Sequence, residues 1–216
     1  MDYMDYLIRF TSDQASLPHW KGNTVSIRQR KIGDLFLPSG RIIAIDPVHW
    51  GADMSESSFR FSVPPGTYPA FVSLFEISGY EYVGLAYLLF SKEAVYGWEM
   101  ATRKGEDIAT LKDDEFFGIG VDGGRATYLS PEAAEVIRSN VHSSEHDPIE
   151  IWDSFTDDIG GQVIIEERTG LNAIYFSTGG GDGHYPSYVA FDEQDNAISL
   201  TTDFGIIDSE IDWNRA

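Results

Sequence analysis

The segment GGGDGHYPSYVAFDE, residues 179 to 193, decides the fold because an earlier part of the chain repeats a pattern within it. The segment GTYPAFVSLFE, residues 66 to 76, aligns with residues 183 to 193 without gaps. Both segments have glycine, tyrosine, proline, valine and glutamate at matching positions. Such an internal echo predicts that one structural unit occurs twice in the chain.

Each copy is followed by a hairpin signal, at residues 77 to 80 (ISGY) and 193 to 196 (EQDN). Turn residues between two apolar segments are typical of a β-hairpin. We therefore predict a duplicated turn-strand-hairpin unit, within residues 37 to 91 and 163 to 207. The alternative is that Gly-x-Tyr-Pro is a common way to begin a strand, used twice by chance.

Most of the remaining sequence also predicts strands. Residues 22 to 48 indicate short strands that are interrupted at Gly33 and at the turn from Pro38 to Gly40. Residues 80 to 91 (YEYVGLAYLLFS) are apolar enough for a strand buried on both faces. Strand patterns return after Gly160.

Two segments between the halves carry helix-start signals. Ser130 precedes Pro131, and Asp147 precedes Pro148, so each segment has a capping side chain before a proline at the first helical position. These two helices would form a connector over residues 130 to 160. Because the strands come in runs rather than alternating with helices, we expect an α+β fold with mainly antiparallel sheets, in one domain over the whole chain.

The charge of the chain is strongly negative and unevenly distributed. The net charge is −20, and residues 101 to 216 hold 24 acidic and 7 basic residues, against 11 and 8 in residues 1 to 100. An acidic surface repels nucleic-acid backbones and anionic membranes, so we expect neither as a direct partner. It attracts a basic protein partner, or it simply keeps the protein soluble.

The chain contains no cysteine, which excludes disulfides, thiolate zinc sites and cysteine nucleophiles. The first ten residues lack the basic region of a secretion signal, and no apolar segment is long enough to cross a membrane. We therefore expect a cytoplasmic location. We expect no cofactor, unless the chain is a metal-dependent hydrolase, which would bind a divalent metal ion.

Five segments occur in an order that is typical of one family: LPSGRIIAIDP, VPPGTYPAFVS, FGIGVDGGRATYLSPEAA, GGGDGHYPSYVAFDEQDNAI and TDFGII. From about Leu37 to about Ile207 the chain resembles the uncharacterised bacterial domain-of-unknown-function family 4241. The resemblance implies no established enzymatic activity. It implies a likeness to accessory and immunity-like proteins of bacterial competition systems. The chain departs from the pattern in its three successive glycines, where an aromatic residue is expected.

Several acidic residues of these segments lie in glycine turns or at predicted strand ends. Carboxylates gathered in such places can bind Mg²⁺ or Ca²⁺, which in turn holds a phosphate or activates water. The candidate metal ligands are Asp46, Glu76, Asp122, Asp182 and Asp203. Asp182, His184 and Asp203 are also the candidate catalytic residues. The alternative, which we favour, is that aspartates in such turns accept hydrogen bonds from their own backbone.

Three short motifs resemble known sites, but each lacks its required context. The glycines at 179 to 183 precede a predicted strand, whereas phosphate loops precede a helix. The triplet at Asp203 matches the metal-binding triplet of protein kinases, but the other kinase motifs are absent. The segment HSSEH, residues 142 to 146, matches an inverted zinc-peptidase motif, but its serines disfavour the required helix.

The repeated tyrosines are the candidate binding residues, together with Gly183. Tyr68 and Tyr185 each precede a proline in the same frame. They could flank a groove as a stacking pair, or they could be two equivalent core residues. Two hypotheses follow for the whole chain. The first is a binding protein that recognises a basic protein partner through its acidic C-terminal half, and the second is a metal-dependent hydrolase of a phosphate ester or nucleotide.

Overall fold

The computed structural model describes residues 11, 16–20, 23–50, 52–54, 56–113, 115–143 and 155–207. Within these residues twelve strands form two antiparallel sheets, and one α-helix is present. The elements are β1 (Ser16–Trp20), β2 (Asn23–Leu37), β3 (Ile43–Ile45), β4 (Gly66–Ile77), β5 (Tyr80–Leu89), β6 (Gly97–Met100), β7 (Gly118–Val121), β8 (Arg125–Leu129), α1 (Pro131–Ser143), β9 (Gly160–Glu166), β10 (Leu171–Ser177), β11 (Gly183–Phe191) and β12 (Ala197–Asp203). The predicted strand-rich fold with antiparallel sheets is confirmed, and its content is mostly β.

The larger sheet has the strand order β1-β2-β4-β5-β12-β11-β6, and β7 also pairs with β11. The smaller sheet has the order β3-β8-β10-β9. The two sheets pack face to face around a core that includes Leu35, Val72 and Leu88 from the larger sheet and Ile174 and Phe176 from the smaller one. This apolar core is the main source of stability that the fold offers.

A buried tyrosine hydroxyl joins the two sheets. Tyr128 lies on β8 of the smaller sheet and is fully buried. Its hydroxyl contacts two atoms of the larger sheet, the Ala86 carbonyl oxygen at 2.9 Å and Oγ1 of Thr202 at 2.7 Å. Burial raises the pKa of Tyr128, which keeps the hydroxyl protonated and able to donate.

Helix α1 packs on the outer face of the smaller sheet. Ser130 is its N-cap, because the Ser130 hydroxyl accepts a hydrogen bond from the Ala133 N–H at 3.1 Å. Ala133, Ala134 and Ile137 then pack against Leu129 and other residues of the smaller sheet. The first predicted helix is therefore confirmed. No helix in the described ranges is long and apolar enough to cross a membrane.

The second predicted helix, beginning at Asp147, lies mainly outside the described residues. Where description resumes at Phe155 the chain is not helical, and β9 begins at Gly160. Phe155 instead stacks on Tyr175 with ring centroids 4.1 Å apart. The segment HSSEH also lies largely outside the described residues.

The prediction that Gly33 interrupts a strand is wrong. Strand β2 continues through this position, with a register irregularity between Lys31 and Gly33 in its pairing with β4. A β-carbon at Gly33 would lie 2.7 Å from Cδ1 of Ile174, on the facing sheet. The glycine therefore marks a close approach between sheets and a bulge, which is a common role of glycine within strands.

The two predicted hairpins lie side by side at the centre of the larger sheet. In β4–β5, Phe71 pairs with Tyr87, and in β11–β12, Tyr188 pairs with Thr201. Strands β5 and β12 join the two hairpins through five residue pairs, and the middle pair is Tyr87 with Thr201. The two hairpins therefore lie symmetrically on either side of this pair. Each of the five pairs of β11–β12 has a counterpart in β4–β5, and the first hairpin continues for three further pairs.

The irregularities of the hairpins also correspond. The register shifts after Ser73 in the first hairpin and after Ala190 in the second, 117 residues later. Equivalent backbone hydrogen bonds follow the two returning strands, from the Phe90 N–H to the Ile198 carbonyl and from the Phe204 N–H to the Gly84 carbonyl. These correspondences favour a duplication, which itself stays a prediction.

Candidate functional site

The fully buried carboxylate of Asp46 connects two turns. Oδ1 of Asp46 accepts a hydrogen bond from the Val48 N–H at 2.8 Å and so caps the 3-10 turn Pro47–His49. Oδ2 accepts two more, from the N–H groups of Asp122 at 2.7 Å and Gly123 at 2.9 Å. Both oxygens of Asp46 are thus engaged by backbone donors, which is the geometry of a structural turn carboxylate.

Asp182 supports the same glycine turn, because its Oδ1 accepts a hydrogen bond from the Gly124 N–H at 3.0 Å. Gly124 has a φ of 63°, in the left-handed region that favours glycine. The Asp122 side chain is 80% exposed, and its Oδ2 lies 3.9 Å from Nε2 of His49. The structure therefore brings Asp46, Asp122 and Asp182 to one turn.

The other candidate acids lie elsewhere. Oδ1 of Asp203 accepts a hydrogen bond from the Gly205 N–H at 2.9 Å, just after β12. Glu76 is exposed on β4, where its Oε2 accepts a hydrogen bond from the Ser26 hydroxyl at 3.3 Å. Among the described residues no three His, Asp or Glu side chains are arranged to hold a metal ion. The metal site stays a prediction.

His184 is exposed at the beginning of β11, and its ring stacks on Phe116 with centroids 5.5 Å apart. Asp182 is exposed as well. The pair lies where β7 runs beside β11, because His184 pairs with Gly120 in the sheet. A catalytic role for Asp182, His184 or Asp203 stays a prediction.

The two candidate tyrosines make the same hydrogen bond. The Tyr68 hydroxyl donates to the Pro64 carbonyl at 2.5 Å, and the Tyr185 hydroxyl donates to the Gly181 carbonyl at 2.9 Å. In both cases the acceptor lies four residues before the tyrosine. Each ring therefore folds back over the turn that precedes its strand, and burial raises the pKa of both hydroxyls.

The folded-back ring explains the glycine of the Gly-x-Tyr-Pro motif. A β-carbon on Gly183 would lie 2.8 Å from the Tyr185 hydroxyl oxygen, and one on Gly66 would lie 3.3 Å from that of Tyr68. The first distance is shorter than real side chains adopt, and the second is tight. Gly183 thus supports the position of Tyr185, although a binding role for it stays a prediction.

Each tyrosine also packs edge-to-face on a phenylalanine that immediately follows the returning strand. The ring centroids of Tyr68 and Phe90 are 5.2 Å apart at 85°, and those of Tyr185 and Phe204 are 5.3 Å apart at 88°. Neither phenylalanine was among the residues predicted from the sequence. The signal was present, because LLF at 88 to 90 and TDF at 202 to 204 end the two returning strands in the same way.

The first of these ring pairs borders an open groove of about 620 Å³. The aromatic rings of Phe61, Tyr68 and Phe90 line one part of it, and Asp192 and Asp195 from the β11–β12 turn line another. The remaining lining residues are Arg60, Ser62, Val63, Pro64, Ser91, Phe191, Asn196 and Ala197. Tyr68 therefore lines a groove, whereas Tyr185 is buried in the core.

The acidic wall of the groove is held by a network within its own turn. Oδ1 of Asp192 accepts hydrogen bonds from the N–H groups of Gln194 and Asn196, each at 2.9 Å, and Oδ2 accepts one from Nδ2 of Asn196 at 3.0 Å. These bonds, chiefly those from Asn196, hold the pKa of Asp192 below its usual range. Asp195 follows with a φ of 60° and an exposed side chain.

Most of the features described above lie within a region of the chain that matches one protein family. No curated protein and no solved structure matches the chain significantly. One family model does match, over residues 35 to 202, a range that contains the first Gly-x-Tyr-Pro hairpin, the second up to Thr202, the glycine turn and the groove. The chain belongs to the family described as "Protein of unknown function (DUF4241)".

Proposed function

We propose that the chain is an intracellular bacterial binding protein, immunity-like in its action, that recognises a basic protein partner through the acidic half from residue 101 to residue 216. The observation that carries the proposal is the pairing of charges in this half. Its described basic side chains are already engaged by carboxylates or carbonyls of the chain itself, so the surplus of acidic side chains is left for solvent and partners.

Each lysine and arginine of this half that the structure describes has such a partner. Lys104 contacts Glu56 at 2.7 Å, and Arg138 contacts Glu135 at 2.6 Å. Arg103 is half-buried and donates to the Ala44 carbonyl at 2.8 Å. The other pairs are Lys112 with Glu115, Arg125 with Asp158 and Arg168 with Glu166.

Six acidic side chains of this half are exposed and have no ion pair among the described residues: Asp107, Asp113, Glu167, Asp182, Glu193 and Asp195. Exposed charges that lack an internal partner contribute most to the outward field of a protein. Such a field speeds association with a surface of opposite charge and disfavours partners of like charge. A basic protein surface is therefore the partner that this half would favour.

The alternative, a metal-dependent hydrolase, requires the candidate acids to converge. Support for a binding role comes from the positions of two of them, because Glu76 bonds to Ser26 on β2 and Asp203 accepts a hydrogen bond within its own turn from Gly205. Asp46 has both oxygens occupied by backbone donors. The turn interpretation of these aspartates agrees with a protein that acts by recognition.

We further propose that the β4–β5 and β11–β12 hairpins are copies of one duplicated unit. The matching pair registers, the matching irregularities and the matching tyrosine hydrogen bonds support this proposal. A duplicated scaffold allows one copy to keep a packed structural role while the other acquires a binding surface.

Thermal melts with Mg²⁺, Mn²⁺, Ca²⁺ and Zn²⁺, together with affinity capture from a bacterial lysate, separate the two functions. A metal ion that binds the native state raises its melting temperature. The binding proposal predicts no metal-dependent rise and a salt-sensitive basic partner. A rise that Asp182→Ala abolishes, with no captured basic protein, would contradict it and support the hydrolase.

A further inference from the structure

The groove beside Tyr68 differs from its counterpart in the second hairpin. In the second hairpin the chain turns at Gly205, with a φ of 63°, and Ile206 then packs against the cluster that contains Tyr185 and Phe204. Cδ1 of Ile206 would lie 2.8 Å from a β-carbon on Gly179, in the turn that the Tyr185 ring folds over. An aliphatic side chain of the chain itself therefore packs beside the turn under Tyr185 and against the cluster that contains this tyrosine–phenylalanine pair.

In the first hairpin the same ring pair faces the open groove. Phe90 is followed by Ser91, which lines the groove, and Tyr68 is partly exposed. Phe61 extends the aromatic wall, with its ring centroid 6.3 Å from that of Phe90. The groove thus offers rings on which an aliphatic chain can pack.

The opposite part of the groove is acidic. Asp192 is buried and its two oxygens are bonded within the hairpin turn, whereas Asp195 beside it presents an exposed carboxylate. A lysine or arginine side chain combines an aliphatic stem with a cationic head, so it fits a site with apolar and acidic walls. Tyrosine and phenylalanine rings also attract a cation that lies over their faces.

We propose that this groove binds a lysine or arginine side chain of the basic partner, with the stem against Phe61, Tyr68 and Phe90 and the cationic head at the exposed carboxylate of Asp195. The proposal rests on the proposed function and adds the place where the partner docks. Arg60 also lines the groove, and no ion pair neutralises it among the described residues. The positive charge of Arg60 repels a cation in the groove, so removing this charge should strengthen binding, whereas removing the charge of Asp195 should weaken it.

The test is a titration of the protein with a hexa-arginine peptide, followed by calorimetry and by amide chemical shifts. Asp195→Asn removes the groove charge and keeps a residue that tolerates the positive φ at this position. Glu167→Gln is the matched control, because Glu167 is an exposed acid of the same half that does not line the groove. Arg60→Gln removes the opposing charge.

The proposal predicts that Asp195→Asn weakens hexa-arginine binding about threefold and that Arg60→Gln strengthens it about threefold, as expected for partly exposed charge pairs. Glu167→Gln should change binding by less than about 1.5-fold. The amide shifts should centre on Phe61, Tyr68 and Asn196. Equal effects of Asp195→Asn and Glu167→Gln, with shifts spread over other acidic surfaces, would overturn the groove and leave the proposed function standing. Absence of any binding to the wild-type protein would overturn both.

Discussion

Asp46 holds the backbone of Asp122, 76 residues further along the chain, through a hydrogen bond of 2.7 Å from the Asp122 N–H to Oδ2 of Asp46. The buried carboxylate thereby fixes the turn that begins at Asp122, while the Asp122 side chain points into solvent. Two aspartates that looked alike in the sequence therefore have different roles. One stabilises the fold from within, and the other is free to contribute to the acidic surface.

This difference predicts that substitutions of Asp46 lower the stability of the protein, whereas the same conservative substitution of Asp122 does not. Asp46→Ala leaves three backbone N–H groups without their acceptor, so it should lower the free energy of unfolding by at least about 3 kcal/mol. Asp46→Asn retains one acceptor oxygen and should cost about 1 to 2 kcal/mol. Asp122→Asn, the control, should change stability by less than about 0.5 kcal/mol. Urea denaturation measures all three, and equal stabilities of Asp46→Asn and Asp122→Asn would contradict the assigned roles.

A second prediction concerns the glycine under the Tyr185 ring. Gly183→Ala places a β-carbon 2.8 Å from the Tyr185 hydroxyl oxygen, so the ring must shift and its hydrogen bond to Gly181 must weaken. We expect a loss of about 2 kcal/mol in unfolding free energy. In the control Gly180→Ala the nearest atom is 3.9 Å away, and its stability should equal that of the wild type or exceed it by up to about 1 kcal/mol. The idea fails if the two variants denature at the same urea concentration.

A third prediction concerns stability at acid pH. The hydrogen bond from Arg30, reinforced by the Ile159 N–H, holds the pKa of Asp157 below its usual range. A carboxylate whose folded pKa is depressed stabilises the protein above its unfolded pKa of about 3.9, and this contribution is lost as the pH falls through the folded pKa. The stability difference between wild type and Asp157→Asn should therefore be largest above about pH 5 and shrink below about pH 3.

Arg30→Gln serves as the control for this prediction, because it removes the cation that contacts Asp157. In the Arg30→Gln background the substitution Asp157→Asn should show a weaker dependence on pH. Taking differences between variants cancels the general effect of the negative net charge. A wild-type and Asp157→Asn difference that stays constant from neutral to strongly acid pH would contradict the assignment.

The strand content and the antiparallel sheets followed from the sequence because apolar alternation and turn residues are local signals. The capping of α1 by Ser130 was predictable for the same reason. The role of Gly33 was not predictable in this way. Ile174, which leaves no room for a side chain at position 33, lies far away in the sequence. Local patterns indicate a bulge or a break equally well, and only the facing sheet distinguishes them.

The candidate site shows the same limit. The sequence echo singled out Tyr68 and Tyr185 as equivalent, and their hydrogen bonds are equivalent. Their surroundings differ, because Tyr185 is buried in the core whereas Tyr68 lines a groove with residues of the β11–β12 turn, which are far from it in the sequence. Four of the five candidate acids lie at turns or strand ends in the sequence, but the topology of the sheets decides that Asp46, Asp122 and Asp182 meet at one turn. Distances between residues that are far apart in the chain cannot be read from a single sequence.

The central claim is that the acidic half from residue 101 binds a basic partner, and a matched pair of charge reversals tests it most directly. Glu167→Lys with Glu193→Lys changes exposed acids of this half, and Glu76→Lys with Glu93→Lys changes exposed acids of the first half. Both double variants alter the net charge of −20 by the same amount, so they differ only in where the charge is placed.

The measurement is the amount of basic protein that each variant retains from a bacterial lysate at about 50 mM and at about 300 mM NaCl. The account predicts that the wild type and the first-half variant retain the same basic protein at low salt and release it at high salt. The second-half variant should retain at least about fivefold less, since each reversal removes an attraction and adds a repulsion. Equal retention by the two double variants would contradict the account.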